Sequence, residues 1–201
     1  MRTKILLATS NRGKIKEITH ILEGLDLELV TLDDYPGLQL PPEAGSTFRE
    51  NALIKARAAS AEAGVAALAD DSGLEVDFLG GRPGIYSARY AGAEASDRDN
   101  WLKLLKELEG VPVEKRTARF RCVVALVWTG GVEESFEGSL EGVIASEPKG
   151  TNGFGYDPVF FIPGTGKTAA ELTPNEKNSL SHRAKALEKL KNSLEKRYKK
   201  S

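Results

Sequence analysis

The stretch Ala67-Leu68-Ala69-Asp70-Asp71-Ser72-Gly73 constrains this chain more than any other. A short apolar run of this kind reads as a strand buried on both faces, which α/β proteins cover with helices. Such proteins place their chemistry where those strands end. Here the run, residues 65–69, feeds two adjacent carboxylates, a hydroxyl and a glycine, beyond which residues 74–76 can resume the strand. Neighbouring carboxylates repel, so both stay ionised only beside a cation or in solvent. Paired oxygen ligands at an open turn suit a hard ion such as Mg2+, which keeps several waters and commonly holds substrate phosphates too. A solvated Asp-Asp-Ser-Gly turn has the same sequence, so the choice rests on the rest of the chain.

Residues 4–8 read as a strand and residues 9–13 as a polar turn. Ile15, Ile18, Ile21, Leu22 and Leu25 then recur at helical spacing, with Gly24 near the stop. Residues 27–32 form a second strand candidate. Thr47 and Glu50 have the spacing of a capping box, opening an alanine-rich helix that ends at Gly64. Ser96 is placed to cap a further helix that stops at Gly110. Residues 119–128 and 134–144 read as two strands of a hairpin around Thr129-Gly130-Gly131, residues 159–162 as another strand, and a last helix from about Glu176 uses Leu180, Ala184, Leu187, Leu190 and Leu194. Strands alternating with helices, plus one hairpin, define an α/β fold with a mixed sheet. No repeat, low-complexity linker or clear boundary interrupts it, so residues 1–201 read as a single domain. The Lys-rich end, residues 196–201, reads as a frayed, solvated terminus.

With 28 basic and 29 acidic residues among 201, the net charge of -1 offers no global attraction to nucleic acid or to an anionic membrane. A polyanionic ligand must be held by local cations. Cys122, the single cysteine, lies in an apolar run and reads as a buried thiol. No secretory or membrane-spanning run is visible, which makes a soluble cytoplasmic protein the expectation.

Several segments suit a nucleotide. Thr9-Ser10-Asn11-Arg12-Gly13-Lys14 joins the first strand to the first helix, where free amides and the helix dipole favour phosphate. Arg12, Lys14 and Lys16 crowd a turn that disfavours cations, a conflict a bound anion removes. Gly164-Thr165-Gly166-Lys167-Thr168 resembles the end of a P-loop, but Phe161 stands where that motif needs glycine. In Gly153-Phe154-Gly155-Tyr156-Asp157 the flanking glycines leave Phe154 a face on which a base can stack, and Asp157 can add hydrogen-bond selectivity. Lys177, His182 and Arg183 gather near the last helix. His182 and Arg183 fall off its apolar stripe, so the core requires neither of them and an ordinary solvated face accounts for both.

Together these segments resemble the inosine/xanthosine triphosphate pyrophosphatase family. The resemblance is carried, in the family's order and over nearly the whole chain, by Thr9-Ser10-Asn11-Arg12-Gly13-Lys14, Phe48-Arg49-Glu50-Asn51-Ala52, Ala69-Asp70-Asp71-Ser72-Gly73-Leu74, Pro83-Gly84-Ile85-Tyr86-Ser87-Ala88-Arg89-Tyr90, Gly153-Phe154-Gly155-Tyr156-Asp157-Pro158 and Ser181-His182-Arg183. It implies a homodimeric, Mg2+-dependent enzyme with a long twisted mixed sheet flanked by helices and two lobes around a nucleotide-binding cleft. The implied reaction cuts non-standard purine triphosphates such as ITP, dITP and XTP to the monophosphate and pyrophosphate. It further implies Asp71 as the catalytic carboxylate, Ser72 as a substrate contact, and Glu43 beside Asp70 and Asp71 on the metal side. Thr9 to Lys14 become the phosphate grip, and Phe154, Gly155, Tyr156, Asp157, Lys177, His182 and Arg183 the base pocket. Lys177 and Arg183 are donors only, so they would favour a 6-keto purine over adenine. The rival readings are an ATPase or kinase, which lacks its P-loop, and a non-catalytic purine-nucleotide sensor, which has no need of Asp70 and Asp71.

Overall fold

A computed structural model describes residues 2–198, so the last part of the expected Lys-rich tail, residues 199–201, lies outside the described residues. The chain order is β1 (Thr3–Leu7), α1 (Arg12–Ile21), β2 (Leu27–Thr31), α2 (Phe48–Ala63), β3 (Ala66–Val76), α3 (Asp97–Glu107), β4 (Thr117–Val127), β5 (Glu133–Ile144), β6 (Phe160–Ile162), β7 (Lys167–Thr168), α4 (Pro174–Leu180) and α5 (His182–Tyr198). The strands form one sheet in the order β2-β1-β3-β4-β5-β6-β7. β1 runs parallel to β2 and to β3, with Leu7 facing Thr31 on one side and Leu68 on the other. β6 is antiparallel to β5 and β7. The mixed sheet flanked by helices is thus the fold read from the sequence.

Local chemistry explains where the helices start. Asn11 caps α1 by accepting from the Lys14 amide at 3.1 Å. Thr47 caps α2 by accepting from the Glu50 amide at 3.1 Å, as its spacing predicts. The Glu50 carboxylate reaches past Thr47 to the Ser46 amide and hydroxyl, at 2.6 and 2.8 Å, so the expected reciprocal bond shifts by one residue. Ser96 and Asp99 form a complete capping box on α3.

The chain gathers into two compact units: unit 1 holds Met1–Asp71, Cys122–Gly138 and Arg183–Ser201, and unit 2 holds Ser72–Arg121 and Ser139–His182. In unit 1 the core packs Ile5, Leu7, Leu68, Val124 and Leu126 of the strands against Ile18 of α1 and Leu187, Leu190 and Leu194 of α5. In unit 2 it joins Leu74, Val76, Leu104, Leu108, Phe120, Val159 and Phe160. Each such side chain contributes roughly 1.5–3 kcal/mol by leaving water.

Two elements differ from the sequence reading. β3 does not stop at the aspartates; it runs on through Ser72 and Gly73 to Val76, so Asp70 and Asp71 are mid-strand. The last helix is two helices, because Ser181 is extended (φ -65°, ψ 155°) and closes α4 before α5 begins. The P-loop-like segment, rejected as such from its sequence, spans the turn between β6 and β7 and all of β7, with no long helix directly after it. No helix among the described residues is long and apolar enough to cross a membrane.

Candidate active site

The mid-strand position of the aspartates decides what each can do. Successive side chains of a strand point to opposite faces. Asp71 turns to α2, where Asn51 and Lys55 lie one helical turn apart and share a face. Asn51 Nδ2 donates to Asp71 Oδ2 at 3.1 Å, and Lys55 Nζ approaches Asp71 Oδ1 at 3.3 Å. Lys55 also donates to Glu43 Oε1 at 2.7 Å and to the Asp70 carbonyl at 2.8 Å, so its ammonium ties two carboxylates to the strand. The Asn51 carbonyl oxygen accepts from the Gly45 amide at 2.8 Å, and a Cβ at Gly45 would sit 2.6 Å from Glu50 Cβ. The 45–51 turn is therefore closed too tightly for any side chain at 45, and it delivers Glu43 to Lys55.

Asp70 turns the other way and meets Lys14 of α1 and Arg183 of α5. Its Oδ2 receives Lys14 Nζ at 3.1 Å and Arg183 Nε and Nη2 at 3.2 and 3.1 Å, while Arg183 Nη1 donates to Glu17. The Cys122 sulfur lies 3.8 Å from the same oxygen, and burial pushes that thiol up to about 12. Cys122 is thus the inert buried thiol expected.

The two acids carry opposite electrostatics. Burial alone would raise Asp70, but Lys14, Arg183 and Lys55 outweigh it and hold its carboxyl well below the usual range. Burial raises Asp71 to about 6, with Glu43 adding to the rise and Lys55, Lys14 and Asn51 opposing it only in part. Burial also opposes the Lys55 ammonium, yet Asp71, Asp70 and Glu43 keep it firmly charged. Asp70, expected with Asp71 and Glu43 around one metal, lies on the opposite face of β3, where its Oδ2 pairs with Lys14 and Arg183. Among the described residues no group of three or more His, Cys, Asp or Glu side chains is arranged to hold a metal. The pair left facing one cation is Asp71 and Glu43.

Of the expected phosphate grip, Lys14 is turned inward while Ser10, Asn11 and Arg12 are exposed, and Gly13 is half-buried. Thr9 accepts from the Asn11 amide at 3.2 Å. Arg12 pairs with Asp33 at 3.1 Å on the surface, and Ser72 follows Asp71 in β3, half-buried.

Unit 2 gathers Phe154, Asp157, Lys177 and His182. Asp157, 3% exposed, accepts from the Phe154 amide at 2.9 Å and from Lys177 Nζ at 2.5 Å, which places that ammonium 4.6 Å above the Phe154 ring. Gly153 has φ +78°, and a Cβ there would lie 2.0 Å from Asp157 Oδ2. The loop therefore needs glycine at 153 for two reasons, the left-handed backbone and the close carboxylate. Gly155 donates its amide to Asp97 at 2.7 Å, and the Tyr156 hydroxyl donates to the Ser87 carbonyl at 2.8 Å. Gly155 and Tyr156 thus shape the loop. His182 stacks on Phe120 with ring centroids 4.9 Å apart, and a pocket lined by Phe120, Leu140, Asp157, Lys177 and His182 opens beside them.

His182 and Arg183 are 6% and 1% exposed, so the solvated helix face expected for them is not what forms. Arg183, expected beside the base, has its guanidinium on Asp70 and Glu17 in unit 1. Asn51, Lys55 and Glu17 are site residues that sequence reasoning missed. The available signals were two polar residues four apart on an alanine-rich face, and an acid three residues after Lys14.

The fold agrees with the comparisons to known proteins. The Ham1 family profile matches residues 5–193. A dITP/XTP pyrophosphatase of Geobacter sulfurreducens is 54% identical over 192 residues, 96% of each chain, and one of Bacillus licheniformis is 52% identical over 93% of this chain and 95% of its own. The solved structure of a HAM1 protein from Coxiella burnetii superposes with a TM-score of 0.89 at 43% identity, covering 96% of this chain and 99% of that one. The chain belongs to the Ham1 family.

Proposed function

We propose that this protein hydrolyses non-standard purine nucleoside triphosphates, ITP, dITP and XTP, to the monophosphate and pyrophosphate. The observation that carries the reading is Asp71: a buried carboxyl raised to about 6 and aimed by Asn51 and Lys55. A general base works best with a pKa near the operating pH. In its ionised form Asp71 accepts a proton from the water that cleaves the α–β phosphoanhydride bond. Lys14 and the start of α1 hold the outer phosphates, where the helix dipole and a cation both favour negative charge. The names of the relatives, dITP/XTP pyrophosphatases, support the substrate class. A nucleotide sensor has no use for an acid held in this state.

Mg2+ fits the donor set. Asp71 and Glu43 offer hard oxygens, and the Asp71 carboxyl, raised by burial first and by the neighbouring Glu43 charge second, is one that a bound cation would favour in its ionised form. Mg2+ takes one or two carboxylates plus waters and phosphate oxygens, so a site without a third acid is sufficient. Bound there, it supplies charge neutralisation to the transferring phosphoryl group.

Phe154 provides the stacking floor, and the Lys177 ammonium, with Asp157 as its anchor, donates to a 6-keto oxygen. Adenine would set an amino group against that donor. A homodimer is the assembly the family resemblance implies, and sedimentation velocity tests it. The function is tested by product analysis on ITP, XTP, dITP, GTP and ATP, with and without Mg2+. Pyrophosphate with monophosphate, favouring the first three, is expected; orthophosphate with diphosphate would refute the reading.

A further inference from the structure

The loop that carries Phe154 and Asp157 turns at Gly153 and Gly155, which take φ +78° and +62°. Glycine backbones are free to take other conformations, so something outside the loop must hold it. Two bonds do so. The Gly155 amide donates to Asp97 Oδ2 at 2.7 Å, and the Tyr156 hydroxyl donates to the Ser87 carbonyl at 2.8 Å. Burial, with Tyr90 and Asp97 adding to it, raises the Tyr156 hydroxyl, which therefore stays a donor. Asp97 opens α3, and Asn100 stands three residues further on, on the same face of that helix. The buried Asn100 amide donates to the Ala88 carbonyl at 3.1 Å and accepts from the Ala91 amide at 2.8 Å. The Ser87 hydroxyl accepts from the Leu74 amide at 2.9 Å and donates to the Gly84 carbonyl at 2.6 Å. The first turn of α3 thus holds the Phe154 loop directly through Asp97, and indirectly through residues 84–91. Both routes close within unit 2.

The consequence falls on Lys177. Asp157 Oδ2 accepts from both the Phe154 amide and the Lys177 ammonium, so one carboxylate oxygen fixes the ring and the donor relative to each other. A purine that stacks on the ring while its 6-keto oxygen meets the ammonium reads that spacing. Without Asp97 to receive the Gly155 amide, the Phe154–Gly155 peptide is free to turn. Turning would carry the Phe154 carbonyl off the Asp157 amide, now 3.3 Å away, and loosen the carboxylate that aims Lys177. We propose that Asp97 is a positioning residue for base recognition: by holding the Gly155 amide it keeps the Phe154 ring and the Lys177 ammonium at the spacing a 6-keto purine needs. The inference rests on the reading that Phe154 and Lys177 meet the base.

The test is a double-mutant cycle on the full chain with Mg2+, reading kcat and KM for ITP and ATP by pyrophosphate release. Asp97→Ala should raise KM for ITP by ~10-fold with kcat within ~2-fold, and narrow the ITP-to-ATP ratio of kcat/KM by ~3-fold, the scale of one hydrogen bond to a charged group. Asp97→Asn keeps an acceptor for the Gly155 amide but not the charge that favours a helix start, so it should recover most of the loss. That recovery separates the loop bond from plain support of α3. In a Lys177→Ala background Asp97→Ala should narrow the ratio no further. Should the alanine variant fail to fold, Tyr156→Phe, which deletes only the second tie, should show the same rise in KM and narrowing of the ratio in weaker form. A fall in kcat at constant KM, an asparagine variant no better than alanine, or additive changes in the ratio would each overturn the positioning role. If Lys177→Ala leaves the ratio unchanged, the base reading itself falls and this role with it. If Lys177→Ala narrows the ratio and Asp97→Ala does not, only the role of Asp97 falls.

Discussion

The two units solve opposite electrostatic problems. In unit 1 two adjacent acids are separated by strand alternation. One, Asp70, pairs with Lys14 and Arg183 and is held well below the usual carboxylate range; the other, Asp71, is raised to about 6 by burial first and by Glu43 second. In unit 2 the buried acid, Asp157, is satisfied by a backbone amide and by Lys177, and serves to aim an ammonium over a ring. A site that must move a proton keeps one group poorly satisfied. On the proposed reading unit 2 only recognises, and its acid, bonded to an amide and an ammonium, serves to place a donor. Chemistry and selectivity should therefore separate by unit when residues are changed.

The strongest break in the comparison is Asp71→Asn. It should lower kcat by ~100-fold or more, the usual cost of losing a general base, without loss of folding. A folded variant retaining about a tenth of wild-type turnover would remove Asp71 from the proton-accepting role.

Next in size is Lys177→Ala. It should narrow the ITP-to-ATP ratio of kcat/KM by ~10-fold, since it deletes a donor that only a 6-keto base satisfies. Phe154→Ala should instead weaken both triphosphates by similar factors, because stacking does not read the edge of a base. Unequal losses would mean that the ring itself discriminates.

Gly153→Ala sharpens the claim that the loop is held by backbone and carboxylate together. The added carbon would displace the Asp157 carboxylate, so KM should rise several-fold for every purine triphosphate with kcat nearly kept. An unchanged KM in steady-state assays would show that the loop relaxes at no cost.

The smallest effect expected is thermal. The folded protein holds the Asp71 proton up to about pH 6, whereas an unfolded aspartate releases it near ~3.9. Stability therefore falls as pH rises through that window, and above it the ionised Asp71 carries its full cost. In metal-free, nucleotide-free protein, Asp71→Asn should raise Tm by a few degrees at pH 8 and by nothing below about pH 4. A lower Tm at pH 8, measured by calorimetry, would show that Asp71 is stabilising as it stands.

The fold was legible because its signals are local: apolar runs for strands, the Asn11, Thr47 and Ser96 caps, and leucines at helical spacing. The site was legible only as a set of residues. Ser72-Gly73 reads as a turn before a strand that can resume at residue 74, and that hid the unbroken course of β3 and with it the division of Asp70 from Asp71 onto opposite faces. Arg183 looked dispensable to the core because its partners lie on α1 and β3, far away in sequence. Asn51 and Lys55 were masked by the alanines around them, since helical spacing alone does not show what lies opposite a face.

The division of labour is tested most directly by measuring kcat/KM for ITP and ATP, through pyrophosphate release, in wild type, Lys14→Ala and Lys177→Ala side by side. Lys14→Ala should lower both substrates by the same factor and leave their ratio intact, while Lys177→Ala should shift the ratio by ~10-fold. If Lys14→Ala changes the ratio as much as Lys177→Ala does, the two units do not divide phosphate chemistry from base choice.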